Sequence, residues 1–386
     1  MTQASPATSY HDRNVYILGA GFSVDGRIPV VDAFMNKMRD STAWLAQEGR
    51  QREAQAVANV LKFRLEAAAA AYRVNVDVEN VEQLFSLASA SPGIYAKDVP
   101  LAIAATVNFA HRTAARKECQ LYFSAEAPAN SATAYLKRQN AGMCSRYDYY
   151  LGLMTGALDQ PSKDSGNTIV SFNYDLLVEE SLNRLGIAYD YGLRCPGVEF
   201  DATAQCTQTS DSPALKVLKL HGSVNWAAAE GEQQKVRVYG DYEAVLSANR
   251  SPLLVPPTWR KHFSELSAVW DDAVASLQTA TRIIIIGYSM PSTDQHFKYL
   301  LAAGLQGNIS LRTLLFVNPG LKELKGSFYE IFRQQYLERN VVEFLPCTAA
   351  RYLMDQVLTA KMNRSMKPTL RGITFVNPDP GEMDFH

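Results

Sequence analysis

The chain reads as an α/β protein, a doubly wound parallel sheet carrying a helical insertion. Three observations predict this class. Short apolar strands recur along the chain, each ends in Gly, Ser, Asn or His, and most lead into a helical pattern. The first of them, in NVYILGAGFSVDGRIP (14–29), runs straight into Gly19-Ala20-Gly21. A long stretch, about 45–160, is rich in Ala, Leu, Glu, Gln and Arg at helical spacing and has few strand signals.

Residues 15–18 form the first strand, and apolar positions at Val31, Phe34, Met38 and Trp44 mark the helix after it, the opening of a nucleotide-binding β-turn-α unit. Within the helical stretch, DVENVEQLFSLA (77–88) predicts a helix opened by an acidic cap, with Val81, Leu84, Phe85 and Ala88 on one face. NTIVSFNYDLLVEESL, from 167, gives a strand, a polar break and a helix starting near Asp175. LKVLKLHGSVNW (215–226) gives a strand ending at His221-Gly222. TRIIIIGYSMPSTDQHFKYLL repeats strand, turn and helix around Gly287, and LRTLLFVNPG ends at Asn318-Pro319. Residues 227–262 read as mixed polar loops with a Pro-Pro turn at 256 and 257. In a sheet of this kind the carboxyl ends of the strands form the ligand crevice.

Composition narrows the function classes. At 386 residues the chain can bury a large core. Lys plus Arg number 38 against 39 Asp plus Glu, scattered without a basic block, so no direct nucleic-acid site is evident. The five cysteines include no C-x-x-C pair, which argues against a zinc ribbon or a disulfide framework. No secretion signal and no apolar run of spanning length is read, and a cytoplasmic protein is expected.

The chemistry-bearing residues gather at the strand ends. Gly19 and Gly21 lack a Cβ, so a pyrophosphate can approach with backbone N–H groups pointing at it; a merely tight structural turn is the lesser reading. The dehydrogenase fingerprint fails, because Val24 stands where the third glycine belongs. Asp40, near the spacing of a ribose-binding acid, falls inside a predicted helix, and no G-x-x-x-x-G-K-[ST] occurs. Asn173 offers a donor and an acceptor or serves its turn, and Asp175 binds ligand or caps the next helix. His221 is a catalyst or a satisfied structural histidine, and no second His or Cys stands at metal-ligand spacing to it. Gly287-Tyr288-Ser289 and Asn318 suit phosphate and ribose hydroxyls, or simple turns.

Taken in order, GAGFS, SFNYD, LHGSVNW, GYS and VNP resemble the sirtuin superfamily, and most of all its bacterial SIR2-like branch of anti-phage defence systems, in which a stretch like Pro256-Pro257-Thr258 also recurs. The resemblance covers about 14–320 apart from the helical insertion. It implies a Rossmann-like domain over 14–360, with an N-terminal extension at 1–13 and a C-terminal tail at 361–386. Carried over by position, Gly19, Ala20, Gly21, Phe22 and Ser23 would hold the NAD+ pyrophosphate, and Pro29 and Asp32 would belong to a loop on the nicotinamide side. Asn173 would orient the nicotinamide ribose and the nucleophile, and His221 would be the catalytic histidine. Asp175, Gly287, Tyr288, Ser289 and Asn318 would complete the nucleotide site.

Two departures from deacetylating sirtuins matter. Those enzymes carry a four-cysteine zinc module after the histidine, whereas this chain has no cysteine between 207 and 346, and it reads Ile-Pro-Val-Val-Asp at 28–32 where they have a proline-aspartate-phenylalanine-arginine run. The expectation is therefore an NAD+ hydrolase without zinc, cleaving the nicotinamide–ribose bond as the effector of an anti-phage system. NAD+ is its substrate, and the nicotinamide leaves as an already cationic ring that needs no acid. Unrestrained NAD+ hydrolysis would kill the host cell, so a latent homo-oligomer is expected, with a partner such as the HerA-type ATPase the family suggests. A protein deacylase or ADP-ribosyltransferase, and a non-catalytic NAD+ or ADP-ribose sensor, are the alternatives.

Overall fold

The structure, a computed structural model, describes residues 13–74, 76–90, 95–114, 118–120, 143–157, 166–194, 197–206, 214–229, 235–255, 266–290, 295–337 and 341–354. The N-terminal extension up to residue 12, the C-terminal tail, the Pro256-Pro257-Thr258 stretch and residues 291–294, beyond the GYS motif, lie outside these residues.

The apolar runs assemble one parallel sheet. Its spatial order is Val342–Leu345 (β13), Thr313–Val317 (β12), Arg282–Ile286 (β11), Asn14–Leu18 (β1), Thr168–Ser171 (β4), Leu215–Lys219 (β7) and Tyr189–Asp190 (β5). Every pairing in it is parallel. Ile283 to Ile286 are all buried, as a parallel strand covered on both faces requires. The next strands of this sheet, β4, β5 and β7, lie on one side of β1, and β11, β12 and β13 lie on the other. The winding therefore reverses between β1 and β11, and the crevice opens at their carboxyl ends.

Between β1 and β4 the chain runs through Val31–Gln47 (α1), Gln51–Ala71 (α2), Val81–Ala90 (α3), Tyr95–Thr113 (α4) and Arg146–Met154 (α5). Glu118–Gln120 (β2) and Met143–Ser145 (β3) form a short antiparallel ladder there that the helical composition did not announce. On α3 the predicted face is buried, Val81, Leu84, Phe85 and Ala88 alike. Its cap is Asn80, whose Oδ1 accepts the N–H groups of Glu82 and Gln83, in place of the acidic cap expected; Asp77 folds the turn before it by accepting from the Glu79 N–H.

Leu177–Leu185 (α6) follows β4, and α5 is locked to it by a buried carboxylate: Asp148 accepts from Arg184 Nε at 2.9 Å, Arg184 Nη2 at 2.8 Å and Ser181 Oγ at 2.9 Å. Ser267–Thr279 (α8) precedes β11, Gln295–Gln306 (α9) follows it, and Lys325–Ile331 (α10) and Gln334–Leu337 (α11) lie between β12 and β13. No described helix is long and apolar enough to cross a membrane.

The reading of 227–262 as loops is corrected over the described part of that region. Val198–Phe200 (β6), Gly222–Ala228 (β8), Val236–Val238 (β9) and Pro252–Leu254 (β10) form a second sheet in the order β10-β8-β9-β6, with Tyr242–Ser247 (α7) inserted. Three of these strands span three residues, too short to display a period. The strand expected to end at His221-Gly222 ends at Lys219, and β8 begins at Gly222. Gly222 turns this corner with φ +79°, and a Cβ on it would meet the Leu253 carbonyl oxygen at 2.1 Å.

Candidate active site

The glycines after β1 hold two strand ends together. The Gly19 N–H donates to the Ile286 carbonyl at 3.0 Å and the Gly21 N–H to the Gly287 carbonyl at 2.8 Å. A Cβ at Gly19 would fall 2.5 Å from Tyr288 Cα, and one at Gly287, where φ is +65°, would fall 2.5 Å from the Phe22 nitrogen. The Gly19 and Gly21 N–H groups are thus engaged by neighbouring carbonyls, and the missing Cβ atoms let the β1 and β11 turns touch. The chain then enters a 3-10 turn, Ala20–Gly26, rather than the long helix, which starts at Val31. Tyr147 of α5 pins that turn, its hydroxyl donating to the Phe22 carbonyl at 2.9 Å and accepting from the Gly26 N–H at 3.0 Å. Burial first, then the nearby Asp175 charge, pushes the Tyr147 phenol well above its ordinary range, so it stays protonated and able to donate.

The SFNYD turn after β4 is tied to the glycine turn by side chains. Asn173 Nδ2 donates to the Gly19 carbonyl and to Ser23 Oγ, each at 2.9 Å, and Ser23 Oγ donates to Asp175 Oδ2 at 2.7 Å. A carbonyl can only accept, so the Gly19 contact fixes which way the Asn173 amide lies and turns Oδ1 away from the glycine turn. Asp175 meets the capping reading in part. It accepts the Leu177 N–H at 3.1 Å beside the start of α6, yet the helix cap itself is Leu176.

His221 sits at the corner between the two sheets, its carbonyl accepting from Val255 N–H at 2.8 Å. Its buried ring meets Phe172 edge-on at 5.0 Å and lies 6.3 Å from Tyr174, while Phe172 stacks on Tyr288 at 4.7 Å. The aromatic cluster fixes the plane of the imidazole.

These residues open on one cavity of about 880 Å³, counting the open solvent at its mouth. Its polar rim carries Ala20, Ser23, Asn173, Asp175, His221, Gly287, Tyr288 and Ser289, and Pro29 lies on the wall beside them. Gly19, Gly21 and Phe22 stand behind this surface, with Phe22 packed on Tyr147 at 5.5 Å. Asp32 is exposed in the first turn of α1, and Asn318 braces the neighbouring strand end through the Tyr288 carbonyl at 3.3 Å and the Gly320 N–H at 2.9 Å. Neither lines the cavity.

Sequence reasoning missed the opposite wall. Phe34, Val81, Phe85, Ile103 and Val107 supply an apolar surface from α1, α3 and α4, with Glu82 among them. The periodicity of α3 marked Val81 and Phe85 as buried, but nothing in it said that they would face this cavity.

Beneath the site Lys219 is buried with Glu179, Nζ to Oε1 3.0 Å. Burial pushes the Glu179 carboxyl up and Lys219 pulls it back. Among the described residues no group of His, Cys, Asp and Glu is arranged to hold a metal ion.

Residues 167–332 match the family model described as the SIR2-like domain. That segment takes in β4, the SFNYD turn, the His221 corner and β11. Solved structures with a similar chain path include a Sir2 with the inhibitor EX-527, 2′-O-acetyl-ADP-ribose and a deacetylated p53 peptide, 13% identical over 91% of this chain and 94% of that one, with a TM-score of 0.36. A Sir2 with a p53 peptide and NAD+ is 12% identical over 91% and 94%, with a TM-score of 0.38. A mutant Sir2 homologue complexed with 2′-O-acetyl ADP-ribose is 14% identical over 92% and 94%, with a TM-score of 0.42. No curated protein matches the chain.

Proposed function

We propose that this chain, which carries a SIR2-like domain over residues 167–332, is an NAD+ hydrolase that releases nicotinamide and ADP-ribose. The observation that carries the reading is the convergence of Asn173 and His221 on one cavity at the reversal point of the sheet, with the Asn173 amide held in a single orientation. In the reaction the C1′–N bond breaks, the electron pair stays with the nicotinamide ring, and C1′ becomes oxocarbenium-like. Asn173 Oδ1 accepts from the ribose hydroxyl or the entering water, and His221 takes the proton the water loses on bonding to C1′. NAD+ and water thus give nicotinamide, ADP-ribose and one proton. The same reading makes the chain the NAD+-depleting effector of an anti-phage system, latent until triggered, on the strength of the motif resemblance.

Product analysis of NAD+ consumption by wild type, His221→Ala and Asn173→Ala tests it. Nicotinamide release should fall roughly 10²–10⁴-fold in His221→Ala, and Asn173→Ala should fall with it, while ADP-ribose binding persists. Near-normal turnover in His221→Ala would remove the assignment of the base. Turnover that requires an acyl-lysine peptide would make the chain a deacylase instead.

A further inference from the structure

We propose that Lys219 is a positioning residue, which holds the turn bearing Asn173 in register with the corner bearing His221 and thereby sets the geometry of the reaction. The proposal rests on the hydrolase reading above. Lys219 ends β7, two residues before His221, and is 1% exposed. Its ammonium donates to the carbonyls of Asp175 at 2.5 Å and Tyr174 at 3.4 Å and pairs with Glu179 at 3.0 Å. Glu179 is itself buried on α6 and accepts from the Tyr191 hydroxyl at 3.3 Å. Three segments therefore meet on one cation: the turn after β4, the first turn of α6 and the end of β7.

None of these contacts faces the cavity. Lys219 and Glu179 are absent from its wall, whereas Asn173, Tyr174, Asp175 and His221 all belong to it. A buried ion pair is a weak source of stability, because both charges lose their hydration, and an apolar pair of similar volume often serves the core as well. What an apolar pair cannot do is bind two carbonyl oxygens. The Val224 N–H reaches the Tyr174 carbonyl from β8 at 3.1 Å, so that oxygen keeps one partner without the lysine. The Asp175 carbonyl is tied to β7 by the lysine, and the Asp175 side chain in turn orders Ser23, which accepts from Asn173. A shift at Asp175 is thus passed to the Asn173 amide through two hydrogen bonds.

The test separates tethering from mere stability. Lys219→Met alone strips the buried Glu179 carboxyl of its partner and is not the test. The deciding variant is Lys219→Met with Glu179→Gln, which removes both charges and keeps an acceptor for Tyr191. It should melt cooperatively, as wild type does, and keep its KM for NAD+, while kcat falls roughly 10²-fold, the scale expected when a reacting group is misplaced by about 1 Å. Hydrogen exchange over residues 171–177 should quicken in the same variant. Wild-type kcat and wild-type exchange in the double variant would overturn the proposal. If wild type itself releases no nicotinamide, the hydrolase reading fails, and unchanged exchange over 171–177 would still overturn the tether on its own.

Discussion

At the scale of single residues, the glycine turns test whether crowding or backbone conformation makes a glycine necessary. Gly287 has φ +65°, and a Cβ there would press on the Gly21 and Phe22 backbone at 2.5 Å, which cannot rotate away. Gly49 has nearly the same conformation, φ +69°, with nothing within 4 Å of the added atom. Gly49→Ala should therefore cost only the left-handed penalty, about 1–2 kcal/mol. Gly287→Ala should cost that and more, because two strand ends must part, and it should lower NAD+ turnover by moving Gly19 and the Asn173 amide bonded to it. Urea unfolding of both variants with turnover measured alongside checks this. Equal losses in the two would show that the close approach of the β1 and β11 turns carries no energy. The same geometry explains why these glycines were legible as special although the strand contact they make was not. Gly-x-Gly after a strand announces a close backbone neighbour, and here that neighbour is another strand of the same sheet.

At the scale of elements, α5 clamps the glycine turn through Tyr147, whose hydroxyl serves the Phe22 carbonyl and the Gly26 N–H. Tyr147→Phe leaves both groups short of a partner and should cost about 1–3 kcal/mol in urea unfolding at neutral pH. The pH dependence follows in sign from the raised phenol. An unfolded tyrosine ionises near pH 10, whereas burial keeps Tyr147 protonated well above that in the fold. Its contribution is complete below about pH 10 and is lost as pH rises toward the folded value. The variant should then lose stability less steeply in alkali than wild type, and parallel slopes would remove Tyr147 from the account. The elements legible in sequence were those with a period or a sharp end: the Ile283–Ile286 strand, the α3 face, the polar ends at Asn173 and Gly287. The three-residue strands of the second sheet and the ladder of β2 and β3 carry no period, and they are fixed by partners far away in the chain. The corner at His221 was displaced by two residues for a related reason. LKLHGSVNW alternates apolar and polar residues on both sides of the corner, and only Gly222, with its left-handed backbone, marks where one sheet hands over to the other.

At the scale of the whole molecule, the helices between β1 and β4 are not an appendage. One continuous apolar core joins Ile17, Ile169 and Ile285 of the sheet to Phe34, Phe85, Ile103 and Tyr150 of those helices. Polar ties reinforce the join, with Asp148 holding Arg184 across α5 and α6. The cavity depends on the same union, since Asn173 and His221 come from the sheet and Phe85, Ile103 and Val107 from the helices. Separating the two parts would expose core surface on both, and neither would keep a complete site. The chain should accordingly unfold in one calorimetric transition. ADP-ribose at a hundred times its dissociation constant should raise the free energy of that single transition by about 2.7 kcal/mol, because binding draws on walls from both parts. Hydrogen exchange should show α3 and α4 released together with the central strands. Two resolved transitions, with the helices exchanging first and ADP-ribose moving only the second, would mean that the helices form a separately melting cover and that the sheet alone holds the nucleotide.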